Sequence, residues 1–146
     1  YEKEGKDKGS YLILGELKNS SILKIGNLNN LFFKKGFYIY IGSAMNYLSL
    51  RIKRHLRLKK SIRWHIDYLI SNLFNLKAIP IRSSERIECL ISNEISKIAD
   101  NFIKNFGSSD CRCKSHLYFF EENPLENEKF IEIILKFRIN RLNKFG

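Results

Sequence analysis

At 146 residues and 44% apolar content the chain is long enough for one domain with its own core and short for two. Lys plus Arg number 26 against 15 Asp plus Glu, a formal charge of +11 that points to a polyanionic partner, nucleic acid first. No run approaches the roughly 18 apolar residues of a membrane span, and three cysteines, two of them in the tight pair Cys111-Arg-Cys113, do not make a secreted disulfide framework, so a soluble cytoplasmic protein in a reducing compartment is expected.

Residues 1–8 are polar and charged where a signal peptide would be apolar, and are expected to form a disordered leader. SYLILGEL (Ser10 to Leu17) reads as a strand, KNSS as a turn, and ILKIGNL (Ile22 to Leu28) as a strand pairing back in a hairpin. NLNNLFFKKG turns again before FYIYIG (Phe37 to Gly42), and three strands close in sequence imply an antiparallel sheet. From Leu48 the period changes: Leu48, Ile52 and Leu56 stand four apart and draw a helix stripe as far as Lys60. Ile62 to Asn72 reads as a second helix, and Leu73 to Arg82 as an extended segment that Pro80 places at a sheet edge. Ser83 and Ser84 are N-cap candidates for a third helix to Ile103, with Glu85 in its first turn. After a loop, LYFF (Leu117 to Phe120) is a short buried strand, and Leu125 to Phe145 is an amphipathic helix with Phe130, Ile134, Phe137 and Leu142 near one face. The expected architecture is α+β: a small, mainly antiparallel sheet flanked by helices over residues 9–122, with a C-terminal helical appendage over 123–146 that packs on the domain, on a second copy or on a repair partner.

The charge is concentrated in the first helix and beyond it. Arg51, Lys53, Arg54, Arg57, Lys59, Lys60 and Arg63 fall within thirteen positions that contain no acid, an arrangement suited to phosphate oxygens rather than to pairing along a helix. Arg51 and His55 lie beside the apolar stripe and should point toward the sheet; a histidine in that place is ordinarily a hydrogen-bonded packing residue.

Gly9-Ser10-Tyr11 on the first strand, Tyr40-Ile41-Gly42 at the end of a later one, Arg51 and His55 on the following helix and a glutamate on a further helix together resemble the GIY-YIG nuclease superfamily. More narrowly, YIYIGSA, RIKRHL, RWHIDYL, RIECLI and FGSSDCRCKSHLYFF, from about Gly9 to Phe120, are similar to a branch whose members occur alone or fused to DNA-repair enzymes. The resemblance implies a phosphodiester cleft over the sheet and one divalent ion, Mg²⁺ or Mn²⁺. It implies that Tyr11 helps to activate the attacking water, that Tyr40 orders the same site, that Arg51 stabilises phosphoryl charge and that a helix glutamate holds the metal. His55 joins them as a catalytic candidate, with Lys53, Arg54, Arg57, Lys59, Lys60 and Arg63 holding DNA, preferred to RNA, around the centre. Of two glutamates, Glu85 is explained by the helix dipole, whereas Glu88, expected one turn further in among Ile87, Cys89 and Leu90, is the chosen metal ligand. The sequence departs from the superfamily pattern in three respects. Ser10 stands where isoleucine is usual, a longer insert separates the two tyrosines, and an asparagine that usually follows the metal helix has only Ser108, Ser109 or Asp110 near its place.

Secondary candidates are Gly42 and Ser43 at the strand-to-helix junction, Asp110 and His116 in the cysteine segment, and His65 and Asp67 in the RWHIDYL run, as borders of a phosphate channel or as a buried polar pair in a packed helix. Cys89, Cys111, Cys113 and His116 supply the donors of a tetrahedral zinc site, but C-x-C-x-x-H is tighter than the usual loop, and packing of small polarizable side chains is the preferred reading. The leading expectation is a metal-dependent DNA endonuclease of repair or recombination. The alternatives are a catalytically silent nucleic-acid-binding module of a repair partner and a zinc-stabilised interaction domain.

Overall fold

The computed structural model describes residues 7–26, 30–57, 65–104, 106 and 113–143, the side chains of His65 and of residues 139–143 excepted. In chain order the elements are strands β1 (Gly9–Leu17), β2 (Ser21–Lys24), β3 (Asn30–Phe33) and β4 (Gly36–Ala44), helices α1 (Leu48–Leu56) and α2 (His65–Ile70), strand β5 (Phe74–Arg82), helix α3 (Glu88–Ser96), strands β6 (Asn101–Phe102) and β7 (Leu117–Phe120), a 3-10 turn at Pro124–Glu126 and helix α4 (Glu128–Asn143). The architecture is α+β. Five strands pair antiparallel in the order β5-β1-β4-β7-β6, and β2 with β3 makes a second, two-stranded sheet.

β1 is apolar on both faces because both faces are covered, which is what a central strand requires. Tyr11, Ile13 and Leu17 point to one side, where they meet Tyr38 from β4, Leu48 from α1, Ile66, Leu69 and Ile70 from α2, and Phe33 from β3. Leu12 and Leu14 point to the other, with Ile39 and Ile41, against Ile91 and Ile95 of α3 and Phe130, Ile133 and Ile134 of α4. The C-terminal helix thus closes one face of the core, while Ile131 and Leu135 on its outer side stay exposed. Pro80 lies on β5, an edge strand of the larger sheet, where its missing N–H costs no ladder bond.

The structure corrects the expected elements in several places. The strand around Ile22 does not pair back on β1, whose two sides are taken by β4 over nine residues and by β5; it pairs instead with β3, in a stretch read as a turn, with Leu23 opposite Leu31. The third helix begins at Glu88 rather than at the serines: Ser83 Oγ accepts from Glu85 N in a local turn, and Ile87 at the N-cap makes no side-chain cap bond. Glu85 is therefore outside the helix and Glu88 is its first residue, and the segment expected to continue to Ile103 yields after Ser96 to β6. The leader expected over residues 1–8 does not include Asp7 and Lys8, which belong to the fold, since Lys8 O accepts from Ser83 N and Asp7 O from Leu48 N. Leu142's side chain and residues 1–6 lie outside the description. Among the described residues, no helix is long and apolar enough to cross a membrane.

Ser10 is fully buried on the α3 and α4 side of β1, and its hydroxyl has no hydrogen-bond partner among the described residues. Removing a buried, unsatisfied hydroxyl relieves a desolvation cost, so Ser10→Ala is expected to stabilise the protein by about 1 kcal/mol in urea unfolding. Phe130→Ala, which empties the contact between α4 and the sheet, is expected in the same measurement to cost about 3–5 kcal/mol.

Candidate active site

The first functional helix is started from outside itself. Tyr47, at the N-cap of α1, offers no side-chain cap bond; the Asp7 carboxylate accepts instead from Ser49 N, at 3.1 and 3.2 Å, and from Ser49 Oγ. Partial burial works against the Asp7 charge, but the hydrogen bonds from Ser49 and the nearby Arg82 outweigh it and hold the carboxyl below its ordinary range. α1 is thereby aimed so that Arg51 and His55, one turn apart, face the end of β1 and β4.

Tyr11 Oη and His55 Nε2 are 2.8 Å apart, in the buried interior. The Tyr40 ring stands 6.5 Å from that of Tyr11 and 6.2 Å from that of His55, so the three rings form one aromatic group. Gly42 is opposite Tyr11 in the β1–β4 ladder, and a Cβ there would come within 2.4 Å of Tyr11 Oη: the glycine is what lets the phenol lie across the strand. Arg51 Nη1 donates to Ser43 O at 2.6 Å, which pins the guanidinium to the last turn of β4. Burial, with Tyr40 beside it and Glu88 adding to the effect, pushes the Tyr11 hydroxyl well above the ordinary phenol range, against the charge and hydrogen bond of Arg51.

Tyr11, Tyr40, Gly42, Ser43, Arg51 and Glu88 line one open cleft of about 310 Å³ at this end of the sheet, with Arg86 and His116. Tyr11, Tyr40 and Arg51 come from one side of the sheet and Glu88 from the start of α3, which packs on the other. The cleft lies at the end of the central strands β1 and β4, and Glu88, the first residue of α3, brings its carboxylate to it.

The remaining candidates separate. Arg54 does not belong to a phosphate-holding face: its two Nη atoms donate to Asp67 Oδ1 and Oδ2 at 3.1 and 2.9 Å, and the pair is almost wholly buried. Asp67 does not border a channel either, for it is fully buried on α2, with Oδ1 4.0 Å from His55 Nδ1. It is thus the group behind the histidine, a role that its position in the RWHIDYL run does not announce. The helical stripe is also turned: His55 takes the buried slot expected for Leu56, which is 37% exposed. Lys53 and Arg57 are exposed. Lys59, Lys60, Arg63, Asp110, Cys111 and Ser108 and Ser109, together with the side chain of His65, lie outside the described residues.

Arg86 is the cleft residue that the sequence reading passed over. Its signal was a cation just before the positive end of a helix, where the dipole gives it no stabilisation.

A family model described as Domain of unknown function DUF123 matches residues 10–139, and the chain belongs to that family. No curated protein and no solved structure matches it.

Arg54 holds the charge of Asp67 in place with a two-pronged contact. Arg54→Ala is expected to remove this partner from a buried carboxylate and cost about 3–5 kcal/mol, measured by urea unfolding, with Arg54→Lys recovering only part because an ammonium cannot reproduce the two-pronged contact.

Proposed function

We propose that this DUF123 protein is a metal-dependent endonuclease that hydrolyses DNA phosphodiester bonds in the manner of the GIY-YIG nucleases, in repair or recombination. The observation that carries the reading is the meeting of Tyr11, Tyr40, Arg51 and Glu88, from four separate elements, on one open cleft. Phosphodiester hydrolysis needs a water that gives up its proton, a cation for the charge that builds on the phosphoryl oxygens and relief for the leaving alkoxide.

Tyr11 meets the first need as a relay. Its burial disfavours a standing phenolate, so Oη takes the water's proton while passing its own to His55 Nε2. The imidazolium that forms faces the Asp67 carboxylate, which Arg54 holds in place. Arg51, fixed by Ser43 O, neutralises the phosphoryl oxygens, and Arg86 adds a second cation in the same cleft. Tyr40 bounds the cleft beside Tyr11 and orients the water. Glu88 fits a hard cation: one carboxylate at the wall of an open cleft is enough for Mg²⁺ or Mn²⁺, which keeps most of its waters, and the ion when bound polarises the phosphoryl group and stabilises the leaving oxygen. Lys53 and Arg57, exposed along and after α1, extend the basic surface toward the flanking phosphates.

Supercoiled plasmid and branched DNA incubated with the purified protein are expected to be cut only with Mg²⁺ or Mn²⁺. Tyr11→Phe, Arg51→Ala and Glu88→Gln should each lower kcat about 10²-fold or more, and Lys53→Ala should weaken binding and reduce the salt slope by about one. Salt-sensitive binding that needs no metal, survives Glu88→Gln and is never followed by cleavage would mean a silent binding module instead.

A further inference from the structure

Two thiols and an imidazole converge beside the cleft and have no part in the chemistry above. One ligand atom each from Cys89, Cys113 and His116 lies within 4.8 Å of the others, and Cys89 Sγ is 3.9 Å from His116 Nε2. A tetrahedral ion with sulfur at about 2.3 Å and imidazole nitrogen at about 2.0 Å sets its ligand atoms roughly 3.5–3.8 Å apart, so a contraction of about 1 Å or less closes these three onto one centre. A single S···N hydrogen bond would account for one pair of donors; it gives no reason for a second sulfur at the same point.

The donors are also held in place before any ion arrives. His116 is 2% exposed; its N–H donates to Phe106 O at 2.8 Å and its carbonyl accepts from Ile41 N at 2.9 Å, which fixes it beside β4. Next to it, Ser92 Oγ donates to Ser115 O at 2.9 Å, tying α3 to the same segment. Cys89 sits in the first turn of α3, next to Glu88, where the helix has no side-chain cap. The donor set is soft, two sulfurs and one nitrogen, and so selects a different ion from the lone carboxylate of Glu88.

We propose that Cys89, Cys113 and His116 bind one zinc ion, and that this ion staples the start of α3 to the segment entering β7. The thiols lose their protons to solvent as the ion binds. The staple would set the position of Glu88 at the cleft, a consequence that rests on the nuclease reading; the binding itself does not.

The test is metal analysis of the full chain after expression in zinc-supplemented medium and exhaustive dialysis without chelator. Roughly one zinc per chain is expected, and exchange for Co²⁺ should give the intense visible bands of a tetrahedral ion with a near-ultraviolet thiolate-to-cobalt transition. Cys89→Ser and Cys113→Ser should each retain at least about tenfold less metal, while Glu88→Gln retains it. Zinc below about 0.1 equivalents with only a weak octahedral cobalt spectrum, or full retention in Cys113→Ser, would overturn the proposal. The wild-type spectrum needs no variant to fold, and no DNA enters the assay, so absence of cleavage leaves this result standing and absence of zinc leaves the cleavage result standing.

Discussion

The hydrogen bond between Tyr11 and His55 is the contact on which the candidate site depends. It joins the central strand to the first helix in a buried region, and a polar pair in such a place needs everything around it to be arranged. The strand opposite must lack a side chain, and it carries Gly42. The far side of the imidazole must face something polar, and Asp67 is there, itself neutralised by Arg54. The helix must enter at a fixed angle, which Asp7 secures from just before β1. The cost of burying these groups is spread over β1, β4, α1, α2 and the residues before β1, and what it secures is a hydroxyl in a defined place at the wall of an open cleft.

Much of the fold could be read from local pattern. β1, β4, β5 and β7 and the helices at Leu48 and in the C-terminal segment follow from apolar runs and four-residue spacing, and Pro80 correctly marked an edge. Pairing was less legible, because it is decided between strands. ILKI alternates well enough to pair with any neighbour, and nothing local says that β4, distant in sequence, will occupy β1 over nine residues and leave the shorter strand to β3. Ser83 and Ser84 misled for a similar reason: a serine before an apolar run serves as well in a turn as in a cap, and here β5 continues to Arg82 and leaves too little chain to start the helix there.

At the site, the residues carried by motif were legible and those carried by tertiary pairing were not. Tyr11, Tyr40, Gly42 and Arg51 fall in short motifs, and the structure brings them to one cleft with Glu88. Arg54 looked like a member of a uniform basic face because its partner, Asp67, is thirteen residues away on another helix. The cysteines show the opposite case. Cys89 could be named beside C-x-C-x-x-H as a further donor, but only the fold shows that it, twenty-seven residues before His116, comes within 4.8 Å of Cys113 and His116.

The cleft thus joins two groups that the fold keeps apart: a tyrosine–histidine pair buried under one face of the sheet, and a carboxylate delivered from a helix on the other. The proposed nuclease requires a divalent ion between them. Anomalous diffraction from crystals of the protein soaked in Mn²⁺ tests this directly. The account predicts a peak in the cleft at about 2.0–2.2 Å from a Glu88 carboxylate oxygen, between Tyr11 and Arg51. A fully soaked crystal with no peak there, or with manganese bound in the cleft and not touching Glu88, would contradict it.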